Sequence, residues 1–193
     1  MARWDPEPAQ RLARAALELF AERGYDATTV PDIAERAGLT KSTFFRHFKD
    51  KREVLFAGQD EMTVVIRRAM DDAPRGASAL ELVGALLEAV AVFFPPESRA
   101  SATVRSAVIA GHAELRERDL LKRAHLLGVV EEALSDRGLS RLAATIGMLA
   151  LDTAYQRWST AADDKPFAEH GAAALAQLAE DAARLDQRDH PGG

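Results

Sequence analysis

Basic side chains are concentrated in one short stretch of the sequence, where their chemistry suits phosphate groups. From position 36 to 52 the chain has one acid, Asp50, and six basic residues: Arg36, Lys41, Arg46, Lys49, Lys51 and Arg52. Residues 1–57 contain ten Lys and Arg against nine Asp and Glu, a net charge of +1, although the whole chain carries −5. A phosphate backbone responds to local charge density, so this stretch favours nucleic acid as a partner. A solvated charge run is the alternative interpretation.

Elsewhere in the sequence, few residue patterns indicate a catalytic site. The five histidines, at 47, 112, 125, 170 and 190, form no i, i+4 pair and no carboxylate-bearing motif of the H-E-x-x-H kind. There is no cysteine, no glycine-rich phosphate loop and no G-x-S-x-G nucleophile motif. Acid pairs such as Asp71-Asp72 lie beside predicted breaks between helices, where they are explained as solvated residues at the ends of loops. We therefore predict that the chain is not an enzyme and needs no cofactor or metal.

Neither a secretory signal nor a membrane span is expected. The first ten residues include two prolines and two acids and have no apolar core. The longest nearly uncharged run, 142–151, is about half of the roughly 20 residues that a span requires. We expect a cytoplasmic protein that does not engage a membrane.

The elements that must position the basic stretch are short helices. Leu12, Ala16, Leu19 and Phe20 form one apolar face, which predicts a first helix ending at Gly24. Thr29 with Asp32 has the spacing of a capping box, and Gly38 ends this second helix after about two turns. Thr40 caps a third helix that contains three phenylalanines. Two short helices joined at a glycine match the helix-turn-helix plan, in which the second helix enters the DNA major groove.

The remainder of the chain also has helical spacing, and strand patterns are nearly absent. Asp50 with Glu53 is predicted to open one long helix that runs to Ala69. A break at 71–78 follows, and further helices are expected at about 79–94, two within 97–137 that meet near 111–114, 140–160 and 166–185. The predicted fold is all-α with about nine helices.

The pattern resembles the TetR family of bacterial regulators. The resemblance covers about forty residues, through Phe20-Ala21-Glu22-Arg23-Gly24-Tyr25, Thr29, Ile33-Ala34, Ala37-Gly38, Thr40-Lys41, Phe45, His47-Phe48 and Lys51. It implies an N-terminal three-helix helix-turn-helix DNA-binding domain and a C-terminal helical domain for ligand binding and dimerisation. The corresponding bounds are a flexible arm at 1–8, the DNA-binding domain at 9–54 with its helix-turn-helix at about 29–48, the second domain at 55–186 and a disordered tail at 187–193.

The resemblance also implies roles for particular side chains. Thr29 would offer a hydroxyl and a backbone N–H to phosphate, and His47 and Lys51 would hold the backbone on either side of the groove. The family often has tyrosine where this chain has Phe45, which cannot make that hydroxyl contact and is expected to pack against sugar or core. The predicted DNA-binding residues are Thr29, Lys41, Ser42, Thr43, Phe45, Arg46, His47 and Lys51.

Two further sites follow from helical spacing in the second domain. A seam of small residues on the last two helices predicts a dimer interface: Ala143, Gly147, Ala150, Ala154, Gly171, Ala174, Leu178 and Ala182. The alternative is that both stripes face the core of a single chain. Large aromatic and polar side chains near helix ends predict a ligand pocket, although aromatic residues at this spacing also occur in cores: Phe93, Phe94, Arg105, His112, Tyr155 and Trp158.

The function predicted from these observations is a ligand-responsive repressor that binds a palindromic operator as a homodimer. The segment 112–118 resembles one found in family members with acyl-CoA-type ligands, so an acyl-CoA-like or other apolar effector is expected. The predicted mechanism is a tilt of the 50–69 helix that changes the spacing of the two recognition helices. An enzyme, or a helical interaction protein without a DNA partner, are the rival interpretations.

Overall fold

The computed structural model describes residues 8–188, apart from the side chains of 182 and 185–188. This part of the chain contains nine α-helices and no strand, which confirms the all-α prediction. The α-helices are α1 (Pro8–Arg23), α2 (Val30–Arg36), α3 (Lys41–His47), α4 (Gln59–Asp72), α5 (Ala79–Val90), α6 (Arg99–Gly111), α7 (Ala113–Ser135), α8 (Arg141–Thr160) and α9 (Phe167–Arg188). Three short 3₁₀ turns, at Glu53–Phe56, Ala91–Phe93 and Pro96–Ser98, connect some of them.

The two predicted ends of the chain fall largely outside the described residues. Of the arm expected at 1–8, only Pro8 is described, and it already belongs to α1. Of the tail expected at 187–193, the first two residues belong to α9, which continues to Arg188. Residues 189–193 lie outside the description.

The chain forms two compact units, and one of them is discontinuous in sequence. The first comprises Met1–Asp60 with Ala100–Lys122, and the second comprises Glu61–Arg99 with Arg123–Gly193. We predicted one domain boundary, after residue 54, whereas the two observed units meet at three points in the sequence, after residues 60, 99 and 122. The difference arises because Ile109 and Leu115 are buried in the same hydrophobic core as α1, α2 and α3.

The core of the first unit holds the three short helices together. Leu12, Ile33 and Phe44, one from each helix, are fully buried. Helices of seven residues are marginal by themselves, so α2 and α3 depend on this shared packing for their stability. The predicted set of Ile33, Leu39 and Phe44 does meet in this core, with Leu39 half-buried at its edge.

Local signals set the ends of these helices as the sequence predicts. Thr29 and Asp32 form a reciprocal capping box at the start of α2, and the Thr40 side chain accepts a hydrogen bond from the Thr43 backbone N–H. Gly38 has a φ of 66°, the left-handed conformation that a glycine adopts without a Cβ clash. The turn between α2 and α3 is therefore fixed by residue type.

The long helix predicted from Asp50 to Ala69 is wrong. Asp50 Oδ1 does accept from the Glu53 backbone N–H at 3.0 Å, but the cap opens only the 3₁₀ turn Glu53–Phe56. Gly58, with a φ of 84°, then ends helical hydrogen bonding before α4 begins. Val54, Leu55 and Phe56 are all buried, and three consecutive inward side chains cannot lie on one helix face.

In the second unit, α5 packs against α8 and α9 through small residues. A Cβ on Gly147 would lie 3.4 Å from Val83, and one on Gly171 would lie 3.3 Å from Leu87. A second capping box, between Ser78 and Glu81, starts α5 and was missed from the sequence.

Among the described helices, no single one is both long enough and apolar enough to cross a membrane. One bent pair, Ala79–Phe93 with Pro96–Gly111, has the required length and composition when the two helices are taken together. Within the same part of the chain, no group of three His, Cys, Asp or Glu residues is placed to hold a metal ion.

Candidate nucleic-acid interface

Helix α3 presents a polar and basic face to solvent over an apolar underside. Phe44 is fully buried beneath it, and Phe48 is also buried. Lys41, Ser42, Arg46 and His47 are exposed. Thr43 is half-buried, and its hydroxyl lies 2.9 Å from that of Thr40. The buried side fixes the helix, while the exposed side is available to the edges of bases and to phosphates.

Phe45 is the unusual member of this exposed face. Its side chain is 49% exposed, and the ammonium of Lys41 lies 5.9 Å from the centre of its ring. The ring also meets Phe44 edge to face at 5.5 Å. Phe45 therefore supplies an apolar surface beside a cation. Its ring has no hydroxyl and so cannot donate a hydrogen bond.

Only part of the basic stretch remains available to a polyanion. Arg36 makes two hydrogen bonds to the Glu22 carboxylate, at 2.8 and 2.7 Å, and these hold the pKa of Glu22 below its usual value. Arg52 pairs with Asp50 at 2.7 Å. Among the described residues, no acid forms an ion pair with Lys41, Arg46 or Lys49, so these three carry the free positive charge of the stretch.

Thr29 already uses the two groups that were predicted to meet a phosphate. Its backbone N–H and its hydroxyl both donate to Asp32 Oδ2, at 2.8 and 2.6 Å. These bonds, with Arg23 close by, lower the pKa of Asp32, so its carboxylate stays ionised at neutral pH. The structure thus places a negative charge beside Thr29, and a phosphate contact there stays a prediction.

Lys51 is likewise engaged within the protein. Its ammonium donates to the carbonyl oxygens of Tyr25, at 2.6 Å, and Thr28, at 2.9 Å, and lies 4.1 Å from the centre of the Tyr25 ring. The predicted contact of Lys51 with the DNA backbone is untested, and the ammonium is not oriented freely toward solvent.

Arg11 is a site residue that the sequence analysis missed. Its guanidinium donates to the Ala37 carbonyl at 2.6 Å and lies against Gly38, so it supports the turn between α2 and α3. The two residues are 26 positions apart, and no local pattern of α1 indicates the contact.

The predicted ligand-pocket residues divide between the two units. Phe94, Tyr155 and Trp158 form an aromatic cluster with Phe167, in which Phe94 stacks on Phe167 at 4.4 Å. Trp158 is fully buried, and its indole N–H has no hydrogen-bond partner within the described structure. Phe93 lies half-buried in the adjacent 3₁₀ turn.

Arg105 and His112 belong to the first unit instead. Arg105 donates to the Leu55 carbonyl at 2.5 Å and pairs with Asp119 at 3.3 Å. The His112 ring meets the Tyr25 ring edge to face at 4.8 Å. Both side chains are thus accounted for by contacts within the helix-turn-helix unit.

A cavity of ≈ 420 Å³ lies at the turn between α4 and α5 in the second unit, and none of the six predicted pocket residues lines it. Half of its eight lining residues are alanine, and Asp72 and Glu81 are the ionisable ones.

The small-residue seam needs a correction. Ala150, Ala154 and Ala174 are at most 1% exposed in a single chain, and Gly147 and Gly171 face α5 of the same chain. These five residues therefore pack in the chain's own core and are not free to form a dimer surface. Ala143 and Leu178 are half-buried, and the side chain of Ala182 lies outside the described part of the chain.

Comparison with known proteins matches the same region of the chain. Residues 12–57 match the family model described as bacterial regulatory proteins, tetR family. The transcriptional regulator TcmR of Streptomyces glaucescens is 38% identical over 80 residues, which are 42% of this chain and 35% of that protein. The transposon Tn10 TetC protein of Escherichia coli is 35% identical over 77 residues, 38% of this chain and 39% of that protein. The match thus spans little more than a third of these curated relatives.

Solved structures match over most of the length. FadR from Bacillus subtilis, solved in complex with stearoyl-CoA, has a TM-score of 0.62 with 22% identity, covering 88% of this chain and 96% of that one. At this identity the likeness concerns the fold. The chain shares an all-helical fold with this structure, and its N-terminal part is similar to the helix-turn-helix region of bacterial transcriptional regulators. The match to the tetR family model thus concerns the helix-turn-helix region of the chain, residues 12–57.

Proposed function

We propose that the chain is a repressor that binds an operator in double-stranded DNA as a homodimer and is released by a small molecule. The observation that carries the proposal is the exposed face of α3, where Lys41, Arg46 and His47 lie over a buried phenylalanine. A rigid underside with a basic outer side is what a helix needs in order to lie in a major groove.

The free charges of this face set the expected strength of the electrostatic contribution. Each phosphate that a lysine or arginine neutralises contributes about 0.9 to the slope of log K against log salt. Lys41, Arg46 and Lys49 would therefore give a slope of about −3 for each protomer. Arg36 and Arg52 would contribute less, because acids of the same chain already neutralise them.

The proposed dimer uses the outer face of α8, in place of the buried seam. Leu142 and Leu149 are seven residues apart and so lie on the same face of this helix, and they are 66% and 53% exposed. Neighbouring α9 exposes the small residues Ala172, Ala173 and Ala176, which would allow a close approach. An isologous contact of this kind would present two copies of α3 to a palindromic site.

The proposed effector is an acyl-CoA or another apolar molecule. The FadR structure that shares the fold was solved with stearoyl-CoA. The second unit of this chain contains an aromatic cluster in which Trp158 and Phe167 are buried, and among the described residues the indole N–H of Trp158 has no acceptor. Apolar pockets with a few oriented polar groups are typical of small-molecule sites.

DNA binding is tested with the duplex that flanks the gene encoding this chain, labelled for fluorescence anisotropy. We expect binding that weakens steeply with salt and exceeds that of a scrambled duplex by at least tenfold. The double variant Lys41→Ala, Arg46→Ala should reduce the slope by about 1.8 for each protomer, whereas Lys165→Ala, in the loop before α9, should leave it unchanged. Equal affinity for flanking and scrambled DNA would contradict sequence-specific binding.

The effector is tested separately by thermal unfolding with stearoyl-CoA, using free CoA as the control. A ligand that binds only the folded chain raises the unfolding midpoint in a concentration-dependent manner. No difference between stearoyl-CoA and CoA would exclude the acyl-CoA proposal and leave the DNA-binding proposal intact.

A further inference from the structure

Lys51 lies just beyond the helix-turn-helix, and its ammonium is held by the backbone of a distant loop. The two carbonyl acceptors, Tyr25 at 2.6 Å and Thr28 at 2.9 Å, precede it by 26 and 23 residues. An ammonium has three donors, so two of the three are used here. The Tyr25 ring, 4.1 Å away, covers a further side of the cation.

The loop that Lys51 binds determines where α2 begins. Thr28 is 1% exposed, and its hydroxyl donates to the Gly24 carbonyl at 2.8 Å. The next residue, Thr29, is the N-cap of α2. Lys51 lies four residues after the end of α3 at His47, so its side chain connects the two ends of the segment that contains both helices.

The environment of Tyr25 favours this arrangement. Its ring packs against Phe20 at 5.1 Å and is buried, and burial raises the pKa of its hydroxyl to about 12. The ring is therefore neutral at physiological pH and offers a π face to the cation. Burial also lowers the pKa of Lys51, which agrees with an ammonium that is partly withdrawn from water.

We infer that Lys51 is a positioning residue that fixes the loop before α2 relative to the end of α3, and that it does not neutralise a DNA phosphate. Two of the three ammonium donors are committed to these carbonyls and the Tyr25 ring covers a further side of the cation. Among the bonds described, the Thr28 carbonyl accepts no other hydrogen bond, so withdrawal of the ammonium would leave it without a donor. The inference rests on the proposed DNA binding for one of its two measurements only.

The test compares Lys51→Met with Lys41→Met, which removes a lysine from the exposed face of α3. The first measurement is hydrogen exchange of the amides at 25–29 in the full chain, and it needs no DNA. The second is the salt dependence of binding to the flanking duplex described above. For Lys51→Met we expect exchange at least tenfold faster, weaker binding by about tenfold and an unchanged salt slope.

Lys41→Met should show the opposite combination, with wild-type exchange and a slope reduced by about 0.9 for each protomer. If Lys51→Met instead shows this second combination, Lys51 is a phosphate contact and the inference is overturned. If the wild-type chain does not bind the duplex, the proposed function fails, and the exchange measurement still decides the role of Lys51.

A second variant covers the case in which Lys51→Met does not fold. Lys51→Arg keeps the charge that a phosphate requires but replaces the compact ammonium with a planar group. Faster exchange at 25–29 in this variant supports the positioning role. Exchange and affinity equal to those of the wild-type chain would refute it.

Discussion

At the scale of single residues, Gly38 shows how one position satisfies two requirements together. Its φ of 66° lies in the left-handed region, and a Cβ there would lie 3.2 Å from Nη2 of Arg11. That guanidinium nitrogen is the donor to the Ala37 carbonyl. The sequence predicted the first requirement from the turn, whereas the second depends on a long-range contact that no local pattern contains.

We expect Gly38→Ala to lower the free energy of unfolding by about 1–2 kcal/mol, because the new Cβ adds backbone strain and displaces Arg11. Urea denaturation followed by circular dichroism measures the change. Gly76→Ala is the matched control, since Gly76 has no positive φ and no atom within 4 Å of a built Cβ. Equal losses in the two variants would show that the conformation of Gly38 is not under constraint.

His112 gives the first unit a pH-dependent contribution to stability. Its Nδ1 lies 2.8 Å from the Val108 carbonyl, and its Nε2 lies 3.5 Å from Asp26. The hydrogen bond to the Val108 carbonyl and the nearby carboxylate raise the pKa of His112 above its usual value. A raised folded-state pKa adds stability that is fully present below about pH 6.5 and is lost as the pH rises through the folded-state pKa.

The wild-type chain should therefore exceed His112→Ala in stability by more at pH 5.5 than at pH 8.5. Urea denaturation at the two values measures the difference, and Asp26→Asn should reduce it. A larger gap at pH 8.5 would mean that the neutral ring is the stabilised form.

At the scale of elements, the end of α4 is held by one arginine from another part of the second unit. Arg137 donates to the carbonyl oxygens of Ala73 and Pro74, each at 2.9 Å, and also to that of Met70. Carbonyls at a helix C-terminus lack partners within the helix, and a cation there also interacts favourably with the helix dipole.

Removal of this guanidinium in Arg137→Ala should cost about 1.5–3 kcal/mol of unfolding free energy, the range for hydrogen bonds to a charged group. Chemical denaturation measures the loss, and exchange of the amides at 70–76 locates it. Arg75→Ala, in the same loop, provides the comparison because Arg75 is exposed. A loss of the same size in both variants would indicate a general charge effect.

The elements also show where sequence patterns are sufficient. The ends of α2 and α3 follow from Thr29, Thr40 and Gly38, because capping and turn chemistry act over three or four residues. The prediction of one helix at 50–69 was wrong because Gly58 has a positive φ and Leu55 is buried. Both features depend on tertiary packing, which the local pattern does not contain.

The sequence also could not show which side chains pair with each other or which helices are in contact. The six basic residues from 36 to 52 were counted as one patch, but Glu22, from a different helix, neutralises Arg36. The periodicity of Gly147 and Ala150 indicated close helix contact correctly. It could not indicate that the contacting helix is α5 of the same chain.

At the scale of the whole molecule, the proposed dimer would cover apolar residues of α8 that a single chain leaves exposed. We expect the double variant Leu142→Glu, Leu149→Glu to be monomeric at concentrations where the wild-type chain is dimeric, because like charges would oppose each other across an isologous contact. Sedimentation equilibrium measures the change. Val92→Glu removes a side chain that is 71% exposed outside α8 and should leave the dimer intact. A dimer that persists in the double variant would place the interface elsewhere.

The contribution of residues 100–122 to the first core limits how this chain can be recombined. Leu115 is fully buried there, and Arg105 and Arg118 lie against the Phe56 ring, at 5.5 and 5.7 Å. A chimera that joins residues 1–60 to an unrelated sensor would expose the surface that Ile109 and Leu115 cover. The helix-turn-helix part of this chain is therefore not a portable module, and a graft that keeps its core intact must carry the 100–122 segment with it.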